Sequence, residues 1–202
     1  MTLFAVGAAA LGAGCGGSSS AVREAAPAAK ASCPGAWRAG WQALADRIQA
    51  PVYCPGWMPS PLDAKIRGPW STLNSVSRDR SYVEGFAWQE HLEEVHVNLR
   101  GYPGSAKIPT CENEELQAGK LVVKHVPCFA EPLPAHKTAP GIAATVYTVN
   151  QGADMWHLAY VWRHDGSLYM LSEHLAPPLS YKQVVANLDR MLRSLVLLEP
   201  RS

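Results

Sequence analysis

Apolar residues recur every three to four positions in two segments, which predicts an amphipathic helix near each end of the folded part. In residues 34–49 the stripe consists of Trp37, Trp41, Leu44, Ala45 and Ile48. In residues 180–196 it consists of Val184, Val185, Leu188, Met191, Leu192 and Leu195. Ser180 and Gln183 have capping-box spacing and mark the start of the second helix. The side chains expected to face water there are Lys182, Asn187, Asp189, Arg190 and Arg193.

Between these helices apolar and polar residues alternate, as they do in half-buried strands. Residues 81–100 predict a hairpin with a polar turn at 89–94. The clearest later strands are expected at 142–150, 155–163 and 167–174. The sequence His164-Asp165-Gly166 provides a hairpin turn between the last two. Shorter strands are expected at 62–67, 71–76 and 121–126.

Two further segments have weaker patterns. Residues 112–118 predict one helical turn, and residues 127–141 predict a loop because they contain four prolines. The elements together indicate an α+β fold: an antiparallel sheet of about five to seven strands packed by an N-terminal and a C-terminal helix. The C-terminal helix is expected to dock on an aromatic strand face formed by Trp156, Leu158, Tyr160 and Trp162.

The N-terminal residues predict export. Residues 1–14 contain no charge and are too short for a transmembrane helix, which needs about 20 apolar residues. They fit the apolar region of a signal peptide. Leu11-Gly12-Ala13-Gly14-Cys15 resembles a bacterial lipobox, so we expect Cys15 to carry the lipid. A flexible tether at 15–32, which includes a GGSSS run, and one globular domain at 33–199 complete the predicted organisation.

The chain has five cysteines, and lipidation of Cys15 would leave an even set. Four cysteines in an exported chain predict two disulfides. Of the three possible pairings we expect Cys33–Cys54 and Cys111–Cys128, because each closes a short local loop. The sequence contains no Cys-x-x-Cys pair, so a cysteine zinc site or a redox-active pair is not expected.

Composition narrows the class of protein further. A length of 202 residues suits one domain with a tail. The net charge of +1 argues against a nucleic-acid partner, because nucleic-acid-binding proteins normally carry a basic excess. The expected partners are therefore the membrane, through the N-terminal lipid, and an unknown protein or small ligand.

The segment Tyr53-Cys54-Pro55-Gly56-Trp57-Met58-Pro59 resembles a proline-bounded motif of an uncharacterised bacterial extracytoplasmic domain family. That family occurs in lipoproteins and in the outer regions of anti-sigma factors. The closing pattern is also similar, with Trp162, Gly166 and Tyr169 before the C-terminal helix. The resemblance covers roughly residues 52–198. It implies an exported α+β module and brings no catalytic residues.

Candidate chemistry is sparse. No G-x-S-x-G elbow and no P-loop is present. His91 and His96 frame a stretch that only superficially resembles the HExxH zinc motif, because five positions separate them. A second polar group surrounds the late hairpin: His157, Arg163, His164, Asp165, Glu173 and His174. His157 and Arg163 are expected to share a strand face, and Glu173 and His174 to point in opposite directions. An acid–base site could be built from it, but a solvated sheet face is the preferred interpretation. His125 and His136 require no function.

Seven tryptophans are many for this length. Four of them fit core positions: Trp37, Trp41, Trp156 and Trp162. The other three, Trp57, Trp70 and Trp88, are less constrained. Two of these sharing an exposed patch could bind sugar rings or peptide.

Three functions remain open. The preferred one is a non-catalytic, lipid-anchored binding or interaction module on the extracytoplasmic face of the cell membrane, with no cofactor and no metal. The second is an exported hydrolase that uses the region of His157, Asp165 and His174. The third is a sensor domain that acts through a membrane partner.

Overall fold

The computed structural model describes residues 31–67, 73–149 and 155–201. Its strands in chain order are β1 (Val52–Pro55), β2 (Leu73–Val76), β3 (Tyr82–Glu90), β4 (Glu93–Tyr102), β5 (Thr110–Gln117), β6 (Lys120–Pro127), β7 (Pro132–Ala139), β8 (Ile142–Val149), β9 (His157–His164), β10 (Ser167–His174) and β11 (Leu195–Leu198). Its helices are α1 (Gly35–Ile48) and α2 (Tyr181–Ser194), and a 3₁₀ helix spans Leu62–Arg67. The antiparallel sheet and a helix near each end are as predicted.

Seven strands form one antiparallel sheet in the order β2-β3-β4-β10-β9-β8-β7. Side chains alternate between its faces because the strand period is two. Val95, Val97 and Leu99 of β4 join the core that contains both helices. We call this side the helix face. His96 and Asn98, between them in sequence, lie on the opposite side, which we call the second face.

Helices α1 and α2 cover the helix face, as their apolar stripes predict. Trp37 of α1 stacks on Phe86 of β3 with ring centroids 4.9 Å apart. Helix α2 contributes four buried side chains, each worth roughly 2 kcal/mol on transfer from water: Val184, Leu188, Met191 and Leu192. The predicted capping box is confirmed, since Ser180 and Gln183 each bond the other's backbone N–H.

Two polar residues of α2 are not where the sequence predicted them. Asn187 and Asp189 were expected to face water, but both are half buried. Asp189 accepts hydrogen bonds from Lys137 Nζ at 3.0 Å and from the Tyr160 hydroxyl at 2.8 Å. Helix α2 contacts β7, β9 and β10, so the positions flanking its apolar stripe meet side chains of the sheet.

The two ends of the domain are joined to each other. Strand β1 pairs with β11 in a separate two-stranded sheet. The predicted disulfide Cys33–Cys54 links the segment before α1 to β1, and both cysteines are buried. The Tyr169 hydroxyl of β10 donates to the Pro51 carbonyl and ties this small sheet to the large one. The start and end of the fold therefore support one core.

Three predicted elements are wrong. Residues 62–67 form a 3₁₀ helix and not a strand. The Asp63 N–H donates a hydrogen bond to the Pro59 carbonyl at the start of this helix. Residues 112–117 belong to β5, because a two-residue turn at Ala118 and Gly119 and the disulfide Cys111–Cys128 pair this segment with β6. Residues 132–139 of the expected loop form β7. This strand lies at the sheet edge, where prolines are tolerated, and its register shifts after Pro132.

The β5–β6 hairpin forms an arm that buries none of its side chains. Leu116, Leu121 and Val123 are exposed on it. The disulfide Cys111–Cys128 closes the base of this arm, and Cys128 packs beside Phe129 against a small core on the second face. The two disulfides therefore have different structural roles, one in the main core and one at the base of an exposed hairpin.

We expect the double variant Cys33→Ala/Cys54→Ala to lower the free energy of unfolding by about 3 kcal/mol or more, through lost loop closure and lost core packing. The variant Cys111→Ala/Cys128→Ala should lower it by less, since opening the arm leaves the sheet intact. Urea unfolding followed by tryptophan fluorescence measures both. Equal losses in the two variants would contradict the different roles.

Candidate functional site

Three histidines meet on the second face, at the end of the sheet where β4 and β9 begin and β10 ends. His157 and His174 are direct partners in the pairing of β9 with β10. The pairing of β10 with β4 sets Glu173 opposite Val97, so one further step brings His174 beside His96. Glu94 lies two residues before His96 and on the same face. We call Glu94, His96, His157 and His174 the histidine cluster.

The carboxylate of Glu94 lies between two imidazole rings. Its Oε1 is 3.3 Å from His96 Nδ1, and its Oε2 is 3.4 Å from His174 Nδ1. One potential ligand atom from each of Glu94, His96 and His174 lies within 4.8 Å of the other two. The three side chains are half buried, with about a quarter to a fifth of their surface exposed (26%, 21% and 21%). The site therefore lies close to the surface, although His174 Nδ1 itself is buried.

His157 supports the cluster from the sheet side and is 2% exposed. Its ring stacks on that of His174, with centroids 5.0 Å apart and planes 13° apart. Its edge contact with His96 also has a centroid separation of 5.0 Å. The Nδ1 of His157 lies 3.1 Å from the Met155 carbonyl, which can only accept, so Nδ1 carries the proton. His157 is therefore fixed in one tautomer.

The proton position on His96 follows from the same reasoning. His96 Nε2 is 3.0 Å from Asn98 Oδ1, an oxygen that only accepts hydrogen bonds. Nε2 therefore carries a proton, and in a neutral ring Nδ1 is left with a lone pair. That lone pair points at the Glu94 carboxylate. A second proton on the ring, or a cation between the two groups, is needed to make this approach favourable.

Three large apolar side chains are exposed at this end of the sheet: Leu92 (91%), Met155 (46%) and Trp156 (62%). Trp156 was predicted in the core and is instead exposed. Its φ of 63° breaks the strand alternation just before β9. A bulky residue seldom adopts this conformation, and such strain is concentrated at functional sites. The Trp156 carbonyl accepts the Leu175 N–H, which holds this turn beside His174.

Glu173 lies on the other side of the same strand, under α2. Its side chain is fully buried, and Asn187 donates a hydrogen bond to its Oε1 at 2.9 Å. Burial raises the pKa of the Glu173 carboxyl to about 8, and the bond from Asn187 opposes this only in part. The prediction that Glu173 and His174 point in opposite directions is confirmed. Glu173 is thus separated from the histidine cluster by the sheet.

The predicted grouping of His157, Asp165 and His174 is not formed. His157 and His174 are paired at the open end of the β9–β10 hairpin, whereas Asp165 occupies its turn. Seven strand residues lie between His157 and Asp165, and at about 3.3 Å per residue they span roughly 23 Å. His164 lies near the turn and pairs with Asp165 at 3.5 Å. Arg163 is also near the turn and donates to the Ala106 carbonyl.

The tryptophans considered as ligand-binding residues do not form an exposed patch in the described part of the chain. Trp57 is half buried against the main core, with the Arg190 guanidinium 4.1 Å from its ring centroid. Trp88 is half buried against the same core. Trp70 lies outside the described residues. A cleft of about 370 Å³ at the far end of β4 includes Asp79, Tyr102 and Lys107 and neither of these tryptophans.

The sequence pattern grouped His157 with His174, which the structure brings together, but it grouped them with Asp165 and not with His96. His91 is exposed in the β3–β4 turn and does not join His96. Glu94 was missed as a site residue. The available signal was its spacing of two from His96 on a predicted strand, which places both on one face. Cys15, the predicted lipidation residue, lies outside the described residues.

Comparisons with protein-family models, with curated proteins and with solved structures found no match. Within residues 31–67, 73–149 and 155–201, no helix has the length and apolar character needed to cross a membrane.

We expect the buried Glu173 carboxyl to make the free energy of unfolding depend on pH. Its pKa is higher in the folded than in the unfolded chain, so the unfolded state binds fewer protons between about pH 5 and 8 and stability falls as pH rises. Glu173→Gln keeps the bond to Asn187 and should remove this loss, with a gain over wild type of roughly 3 kcal/mol at pH 8 and little at pH 5. Urea unfolding at the two pH values measures the gain.

The exposed Glu131 offers a matched control. Glu131→Gln should show the wild-type pH dependence. If Glu173→Gln also shows it, the buried carboxyl does not set the pH response.

Proposed function

We propose that this chain is a non-catalytic, lipid-anchored α+β binding module of the extracytoplasmic face of a bacterial membrane, with the histidine cluster as its ligand site. The observation that carries the binding role is the convergence of Glu94, His96, His157 and His174 from three neighbouring strands. Burying ionisable groups that face one another lowers the stability of the fold, and such groups are concentrated at functional sites. The exposed Trp156 next to the cluster favours a ligand approaching from outside.

Two disulfides support the extracytoplasmic location. Cys33–Cys54 and Cys111–Cys128 both have disulfide geometry, and such bonds persist mainly in oxidising compartments. With these four cysteines paired, Cys15 is the single cysteine left over. The lipobox-like residues before it give that cysteine a role as the attachment point for the membrane anchor.

Labelling with radioactive palmitate in a bacterial host tests the anchor. We expect the full chain to incorporate label and to sediment with membranes, and Cys15→Ala to lose both properties. Ser18→Ala changes a nearby residue of similar size and should behave as wild type. Label retained in Cys15→Ala, or a wild-type chain found only in the soluble fraction, would reject the anchor.

A further inference from the structure

We propose that Glu94, His96 and His174 bind one divalent first-row transition metal ion, with Zn²⁺ as the ion to test first. The ligands are the Glu94 carboxylate and the Nδ1 atoms of His96 and His174. The inference rests on the proposed function, because it names the ligand of the histidine cluster.

The donor set fits this class of ion. Two imidazole nitrogens and one carboxylate are a combination that zinc and its neighbours accept, whereas Ca²⁺ and Mg²⁺ prefer oxygen ligands alone. Ligands of a tetrahedral zinc ion lie about 3.3 Å from one another. His96 Nδ1 is 3.3 Å from Glu94 Oε1 and His174 Nδ1 is 3.4 Å from Glu94 Oε2, so each imidazole lies at ligand spacing from one oxygen of the carboxylate. All three donors lie within 4.8 Å, so small side-chain shifts would complete the site.

The orientation of His96 favours a cation at this place. Its Nε2 lies 3.0 Å from Asn98 Oδ1, and its Nδ1 faces the carboxylate of Glu94. In the neutral ring with Nε2 protonated, a metal ion between these atoms would be bound by both the Nδ1 lone pair and the carboxylate. Asn98 is 4% exposed, which makes it a fixed positioning residue. Histidine ligands in metal sites commonly donate their other N–H to an oxygen in this way.

The second imidazole ligand is also held in place. His174 stacks on His157, and the Met155 carbonyl fixes the orientation of His157 through its Nδ1 proton. His157 is not one of the three grouped ligands, so its role is to position His174. Strands β4 and β10 are adjacent in the interior of the sheet, which gives the three ligands a rigid support.

The site lies close to the surface and is incomplete. The three ligand side chains keep about a fifth to a quarter of their surface exposed (21% to 26%), whereas the ligand atom His174 Nδ1 is itself buried, so an ion reaches it after a small side-chain shift. Three protein ligands leave the fourth position of a tetrahedral zinc ion open. A water molecule or a donor group of another molecule would occupy it. The site therefore suits an exchangeable ion better than a purely structural one.

Competition titration against a chromogenic zinc chelator tests the proposal. The sample is the full 202-residue chain without a histidine tag and with Cys15→Ser, so that no free thiol competes. We expect one Zn²⁺ per chain. His174→Gln and Glu94→Gln should each weaken binding about tenfold or more, since each removes a ligand. The exposed His125 and His136 are matched controls, and their Gln variants should bind as wild type.

A second measurement separates lost binding from lost folding. Zn²⁺ should raise the melting temperature of wild type and of both control variants, because a ligand that binds only the folded state stabilises it. At the same Zn²⁺ concentration it should raise that of His174→Gln and Glu94→Gln by less, and the circular dichroism of both variants in EDTA should match wild type. Wild-type affinity in these two variants, or no Zn²⁺ bound by wild type, would overturn the proposal.

The outcomes also separate the metal site from the membrane anchor. Palmitate labelling of the chain carrying His174→Gln should remain at the wild-type level. Zinc binding without labelling would reject the anchor alone, and labelling without zinc binding would reject the metal alone.

Discussion

The packing of α2 on strands β9 and β10 is the interaction on which the rest of the structure depends. The apolar stripe of this helix requires an apolar surface, and alternate residues of the two strands provide it. Once Leu158 and Leu171 face the helix, the period of two sends His157 and His174 to the opposite face. The same constraint buries Glu173 under the helix. The location of the histidine cluster is thus a consequence of how the core is buried.

The closure of the domain holds this arrangement firm. Strand β11 follows α2 directly and pairs with β1, which the disulfide Cys33–Cys54 joins to the segment before α1. Both helices are therefore attached to the β1–β11 sheet: α1 through the disulfide and α2 through the chain that continues into β11. A site built on interior strands of such a sheet keeps its geometry without a ligand. The exposed β5–β6 arm, by contrast, has its own disulfide and contributes little to the core.

The features that sequence predicted well are those set by neighbours along the chain. Both helices, the hairpin at residues 81–100 and the two disulfides follow from periodicity, capping or short loop closure. The failures have tertiary causes. Residues 112–117 carry helix-forming side chains, but their pairing with β6 overrides that preference. Residues 132–139 form a strand despite two prolines, because an edge position does not require their missing N–H groups.

The sequence by itself determined which residues of each strand share a face, because alternation is a local property. It therefore set His96 opposite to Val95 and Val97, and Glu173 opposite to His174. Only the tertiary structure decided that β10 lies between β4 and β9, which brings His174 to both His96 and His157. Strand order depends on contacts between segments far apart in the chain, and the burial of the whole sheet selects it. No spacing within a single strand carries that information.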